Sequence, residues 1–110
     1  MVNWAVCLNE HNFFQHVVSY TLISPEIARV YYKNKSCDIP VNNIRPINAP
    51  EFVFGDIVSP INHLDITGTV CGIMFHFKRN EPIYFISING KRKSKRYFKD
   101  ELTRIENLLE

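Results

Sequence analysis

Apolar and polar positions alternate along most of the chain with a period of two, and Val, Ile, Phe and Tyr gather in short runs bounded by Pro, Gly and Asn. That pattern belongs to strands whose side chains point alternately to two faces of a sheet. It predicts strands over residues 4–8, 16–23, 27–33, 37–40, 56–61, 67–77, 82–89 and 91–98. The end of the chain reads differently. Leu102, Ile105, Leu108 and Leu109 fall at helical spacing within residues 99–109, as either a helix or a turn followed by a short strand.

The sharpest local signal is Ile88-Asn89-Gly90-Lys91. A type I′ turn needs positive φ at both central residues, and Asn-Gly is the pair that adopts it most readily. Pairing outward from that turn sets Ile88 opposite Lys91, Ile86 opposite Lys93 and Tyr84 opposite Lys95, which predicts a heavily basic edge strand. A weak internal repeat accompanies it. Lys35-Ser36, Ile39, Ile44 and Ile47 recur as Lys93-Ser94, Tyr97, Leu102 and Ile105, always 58 positions later. Pro46-Ile47-Asn48-Ala49-Pro50 lies between the copies and has the composition of a connector.

Phe54-Gly55-Asp56-Ile57-Val58, then Gly68-Thr69-Val70 and Ile73, then residues 84–88 and Asn89-Gly90-Lys91, and finally Tyr97, Leu102 and Ile105 form an ordered series. It resembles the small five-stranded SH3-like barrels of the Tudor and KOW type. In these the Gly-Asp opens the first strand, Gly-x-Val starts the second and a single 3₁₀ turn introduces the last. The resemblance covers residues 52–106. Earlier in the chain only Arg29-Val30-Tyr31-Tyr32 and Asp38-Ile39-Pro40-Val41-Asn42-Asn43-Ile44-Arg45-Pro46 look like the closing strands of such a unit. The expected fold is therefore all-β, either two such barrel units in tandem or one barrel with extra N-terminal strands. The expected division is residues 1–47 as an N-terminal β unit, 48–51 as a linker and 52–110 as a C-terminal barrel. The resemblance implies architecture, not activity.

Composition narrows the function. With 110 residues, 45% of them hydrophobic, the chain has enough apolar side chains for a modest core. No run approaches the roughly 20 apolar residues of a membrane span, and Met1, Val2, Asn3 and Trp4 do not open a secretion signal, so the expectation is a cytoplasmic protein with no membrane partner. Cys7, Cys37 and Cys71 are an odd, widely spaced set and read as three buried reduced thiols. The metal candidates Cys7, His11 and His16 lack paired ligands, so no metal and no cofactor is expected. Neither Cys37-Asp38 nor Cys71 has a base placed beside it by sequence, and no phosphate loop or nucleophile elbow is present, so no enzyme is expected.

Binding is left. Lys91-Arg92-Lys93-Ser94-Lys95-Arg96-Tyr97-Phe98-Lys99 holds six of the 13 basic residues, leaving seven against 11 acidic ones elsewhere, a net −4. The candidate binding residues are Lys91, Arg92, Lys93, Lys95 and Arg96, with the aromatics Tyr84, Tyr97 and Tyr32. Other rings, Trp4, Tyr20, Tyr31, Phe75 and Phe77, read chiefly as core, although adjacent Tyr31 and Tyr32 must point to opposite faces. The first expectation is a non-catalytic module that recognises a protein through its β-surface. Small cytosolic bacterial proteins of this composition include immunity-type inhibitors, which neutralise a toxin by covering its surface, and these offer a class analogy. The alternative is nucleic-acid binding through residues 91–99, with phosphates on the cations and a base on Tyr97 or Phe98. The acidic remainder argues against a broad phosphate-binding footprint.

Overall fold

The computed structural model describes residues 2–9 and 13–108. It is all-β and divides into two compact units, Met1–Pro50 and Glu51–Glu110. The N-terminal unit holds β1 (Asn3–Cys7), β2 (Val17–Leu22), β3 (Ile27–Tyr32), β4 (Lys35–Pro40) and β5 (Ile44–Ile47). The C-terminal unit holds β6 (Ile57–Pro60), β7 (Gly68–His76), β8 (Glu81–Ile88), β9 (Lys91–Arg92) and β10 (Leu102–Arg104). Each unit is one five-stranded antiparallel sheet, in the orders β4-β3-β2-β1-β5 and β10-β6-β7-β8-β9. Among the described residues, strand pairing closes neither sheet into a barrel.

Read from the same end, the two orders are identical: three hairpin connections in succession, then a last strand that returns beside the first. The agreement extends to single hydrogen bonds. A 3₁₀ turn at Val41–Asn43 precedes β5, and another at Lys99–Glu101 precedes β10, 58 positions on. The Asn43 carbonyl accepts from the Leu8 amide at 2.8 Å, and the matching Glu101 carbonyl accepts from the Ile61 amide at 3.0 Å. The sequence around 99–109 is thus a turn and a short strand, followed by a second 3₁₀ turn at Ile105–Leu108, and not a continuous helix. Leu109 lies outside the described residues. No helix among the described residues is long and apolar enough to cross a membrane.

Each unit has its own buried interior. In the first, Ala5, Cys7, Phe13, Val18, Ala28, Val30, Ile39 and Ile44 form one cluster, with Tyr20, Tyr32, Cys37 and Val41 packed against it. In the second, Phe52, Val58, Val70, Ile73, Phe75, Tyr84, Ile86 and Leu102 are buried. A bulge at Cys71 re-phases β7: Val70 pairs with Ile86 and Ile73 with Tyr84, while Gly72 is turned to the opposite face against Phe85. The cysteines depart from expectation here. No disulfide joins them among the described residues, and only Cys7 is buried; Cys37 and Cys71 are half-buried, the latter because a bulged residue leaves the ladder.

The Asn89-Gly90 turn has φ of 53° and 79°, as a type I′ hairpin requires. A Cβ at Gly90 would meet no other atom within 4 Å, so only backbone conformation selects glycine there. Gly90→Val should accordingly lower unfolding free energy by about 1–2 kcal/mol, the cost of a branched side chain at positive φ. Denaturant titration of the two proteins measures it, and an unchanged midpoint would contradict the turn's role.

Candidate binding surface

The hairpin that starts at Asn89-Gly90 does not continue in the register expected from the turn. Ile88 pairs with Lys91, Ser87 with Arg92, and the Lys93 amide donates to the Ile86 carbonyl at 2.9 Å. Two residues further along β8, however, Tyr84 pairs with Tyr97 and not with Lys95. From Ile86 to Tyr84 β8 advances two residues, while its partner advances four, from Lys93 to Tyr97. Two residues are surplus. Ser94, Lys95 and Arg96 therefore leave the ladder, and β9 ends at Arg92. The corresponding ladder of the N-terminal unit has no such surplus, since six successive pairs join β3 and β4 from Ile27↔Pro40 to Tyr32↔Lys35. There Ala28 and Ile39 occupy the places of Tyr84 and Tyr97.

The second departure lies on the neighbouring hairpin. In the N-terminal unit β2 and β3 part at Leu22↔Ala28. Their counterparts run on beyond Ile73↔Tyr84 through Met74↔Ile83, Phe75↔Pro82 and His76↔Glu81. The tip of this extension meets the far end of the bulged segment. The Arg79 guanidinium lies 3.7 Å from the centre of the Phe98 ring, His76 stands edge-on to that ring at 5.5 Å, and the Arg79 amide donates to His76 Nδ1 at 3.1 Å. Glu81 pairs with Arg79 at 3.3 Å. Both additions to the shared frame thus converge on one basic and aromatic surface.

Lys91, Arg92, Lys93, Lys95 and Arg96 are all exposed on this surface. None of them takes part in an ion pair among the described residues, where the pairs are Arg29–Asp38, Arg79–Glu81 and Arg104–Asp56. Arg92 is laid over Phe85, 4.6 Å from the ring centre, and Lys95 over the half-buried Tyr97 at 5.2 Å. Tyr84 is a correction to the sequence reading: it is wholly buried and offers no surface to a partner. Its hydroxyl accepts the Glu51 amide at 2.9 Å, and Phe52 packs edge-on to its ring at 5.2 Å. Arg104 donates to the Glu51 carbonyl and approaches Asp56 at 3.5 Å, so one tyrosine and one arginine hold the amide and the carbonyl of Glu51, the residue that opens the C-terminal unit.

Tyr32 belongs to the N-terminal unit, at the end of β3. It is half-buried, 4.5 Å from the His16 ring and 6.3 Å from Phe13. Tyr31 is the exposed member of the adjacent pair. Of the suggested metal cluster, His11 lies outside the described residues, and no group of three His, Cys, Asp or Glu side chains suited to a metal occurs among the described ones. Arg79, Phe85 and Gly72 are the contributors that sequence reasoning missed. Phe98 had a signal, since it must point to the face opposite its neighbour Tyr97.

A family model matches residues 16–103, and its description is a family of unknown function, DUF6960. The chain belongs to DUF6960. The match runs from just before β2 into β10, so every strand but β1, and the bulged segment, falls at least in part within the DUF6960 region. No curated protein and no solved structure matches the chain.

Burial pushes the Tyr84 phenol above its ordinary value, an effect partly offset by the Glu51 and Phe52 amides. A raised value means that the folded state holds the phenolic proton more tightly than the unfolded chain. The stability it confers is complete below the ordinary phenol value near pH 10 and is lost as pH rises through the folded one. Tyr84→Phe should cost about 1 kcal/mol at neutral pH, through the lost Glu51 bond. The variant should also lose part of the alkaline decline in stability, which denaturant titrations across that pH range would reveal.

Proposed function

We propose that this DUF6960 protein is a non-catalytic binding module, and that it recognises a macromolecular partner, in the first place a protein, through the basic bulge and the aromatic face beside it. The common strand order and the 3₁₀ turn before each last strand support reading both units as SH3-like, of the Tudor and KOW kind. The observation that carries the function is the internal comparison. Two units with one topology serve as each other's control, and only the C-terminal one carries the two surplus residues and the longer hairpin. A departure that leaves three consecutive residues exposed adds no core. Irregularities of this kind tend to mark sites where side chains are aimed outward.

A protein partner is favoured over nucleic acid by what covers the rings. Sequence-tolerant binding of single strands relies on aromatic faces open to bases. Here Phe98, Phe85 and Tyr97 are overlaid by Arg79, Arg92 and Lys95, and Tyr84 is inside. The C-terminal unit is also nearly balanced in charge, with nine basic and eight acidic residues between positions 51 and 110. Asp100 and Glu101 stand four and five positions after Arg96, the last residue of the bulge.

A photo-crosslinking residue at position 95 tests this reading. In extract from cells that make the protein, it should give a discrete protein adduct that disappears when Lys93→Glu and Arg96→Glu are introduced, with folding unchanged. Adducts to nucleic acid, or a protein adduct indifferent to those substitutions, would contradict it. Single-stranded DNA should bind no more tightly than about 10⁻⁶ M at physiological salt, the range of non-specific contacts.

A further inference from the structure

Arg92 differs from the other cations of the bulged hairpin in being held both by the ladder and by an aromatic ring. Its backbone is fixed in β9 opposite Ser87, one turn-proximal pair from the Asn89-Gly90 turn. Its guanidinium lies over the Phe85 ring at 4.6 Å. Beneath it, on the neighbouring strand, is Gly72, the residue paired with Phe85. A Cβ built on Gly72 would stand 3.4 Å from Arg92 Nη2 and 3.4 Å from Phe85 Cβ. Gly72 is not among the glycines with positive φ, so its contribution is space and not backbone freedom. An alanine would just touch the guanidinium, and anything larger would lift it from the ring.

An arginine held over an aromatic ring gives up little side-chain entropy on binding, and a planar fork of N–H donors matches a carboxylate. Arg79 is stacked in the same way on Phe98, but its guanidinium is already paired with Glu81. Arg92 has no ion pair among the described residues. We infer that Arg92, seated over Phe85 and Gly72, is the receptor for an Asp or Glu side chain in an acidic segment of the partner protein. Lys91, Lys93, Lys95 and Arg96 supply the surrounding field that draws that segment in. The inference rests on the protein-binding reading above and names the chemistry of its partner.

Titration of the full chain with a labelled oligoglutamate peptide, followed by fluorescence anisotropy at low and physiological salt, tests it. The unmodified protein should bind. Arg92→Ala should weaken binding about tenfold or more, the worth of a charge-assisted bidentate contact. Arg92→Lys should weaken it nearly as much, because the charge stays and the fork is lost. Lys93→Ala, a flexible exposed cation, should change it by about fivefold at most. Gly72→Val should reproduce the loss seen in Arg92→Ala; if that variant is destabilised, Arg92→Lys alone decides. Binding by Arg92→Lys equal to that of the unmodified protein would overturn the inference, since charge alone would then suffice. So would tighter binding to oligothymidylate of equal charge, or no binding to the peptide at all. If peptide binding fails while the position-95 adduct persists, the carboxylate receptor falls and the protein-binding surface stands. If the adduct is absent as well, both fall.

Discussion

Residues 84–97 are tied at both ends. At one end Asn89 and Gly90 adopt the two positive φ values that close a type I′ turn, which fixes Ile88 against Lys91. At the other, Tyr84 is wholly buried and bonded to the Glu51 amide, and Tyr97 is paired to it through both backbone bonds, at 2.8 and 2.9 Å. Neither end can slide, because moving Tyr84 would expose a large ring and release Glu51, while moving the turn would place other residues at positive φ. The two surplus residues must therefore leave the ladder between them. Everything distinctive about the surface follows: β9 stops after two residues, the cations of 93–96 are exposed to solvent, and Arg92, the last residue of β9, lies over Phe85.

The two units show how one frame serves two purposes. Strand order, the 3₁₀ turn before the last strand and the amide bond that docks it are shared. In the N-terminal unit the last hairpin is regular, and its exposed charges are partly neutralised across the ladder: Arg29 faces Asp38 at 2.7 Å, which holds the Asp38 carboxyl below its usual value. In the C-terminal unit the matching hairpin is unneutralised and displaced from its sheet. A pair that is exposed adds little to stability. What separates the units is thus the availability of cations for something outside the chain.

Much of this was legible in the sequence, for local reasons. Asn-Gly declares its turn through backbone sterics, and the 58-residue offset was readable because Ile44 and Leu102 fill the same buried position in each unit. The register of the basic hairpin was not legible. An insertion of two residues preserves the alternation of faces, so Tyr97 points inward whether or not the ladder is interrupted before it, and period-two reasoning has no means of detecting the surplus. Tyr84 was misjudged as an anchor because both faces of β8 carry apolar residues; which of them is sealed depends on Glu51 and Phe52, more than 30 positions away. Arg79 and Gly72 were silent for a similar reason: one matters through a ring 19 residues later, the other through the side chain that it leaves room for.

If the surplus residues serve a partner and not the fold, the C-terminal unit should tolerate the hairpin of its N-terminal counterpart. The most direct test is the denaturant unfolding free energy of a variant lacking Ser94 and Lys95, in which Lys93 can pair with Ile86, Arg96 with Phe85 and Tyr97 with Tyr84 in one uninterrupted ladder. The account predicts stability equal to that of the unmodified protein or higher, since backbone bonds are gained and an exposed loop is removed. A loss of about 2 kcal/mol or more, the scale of a disrupted core contact, would show that the bulge holds the unit together and would contradict the account.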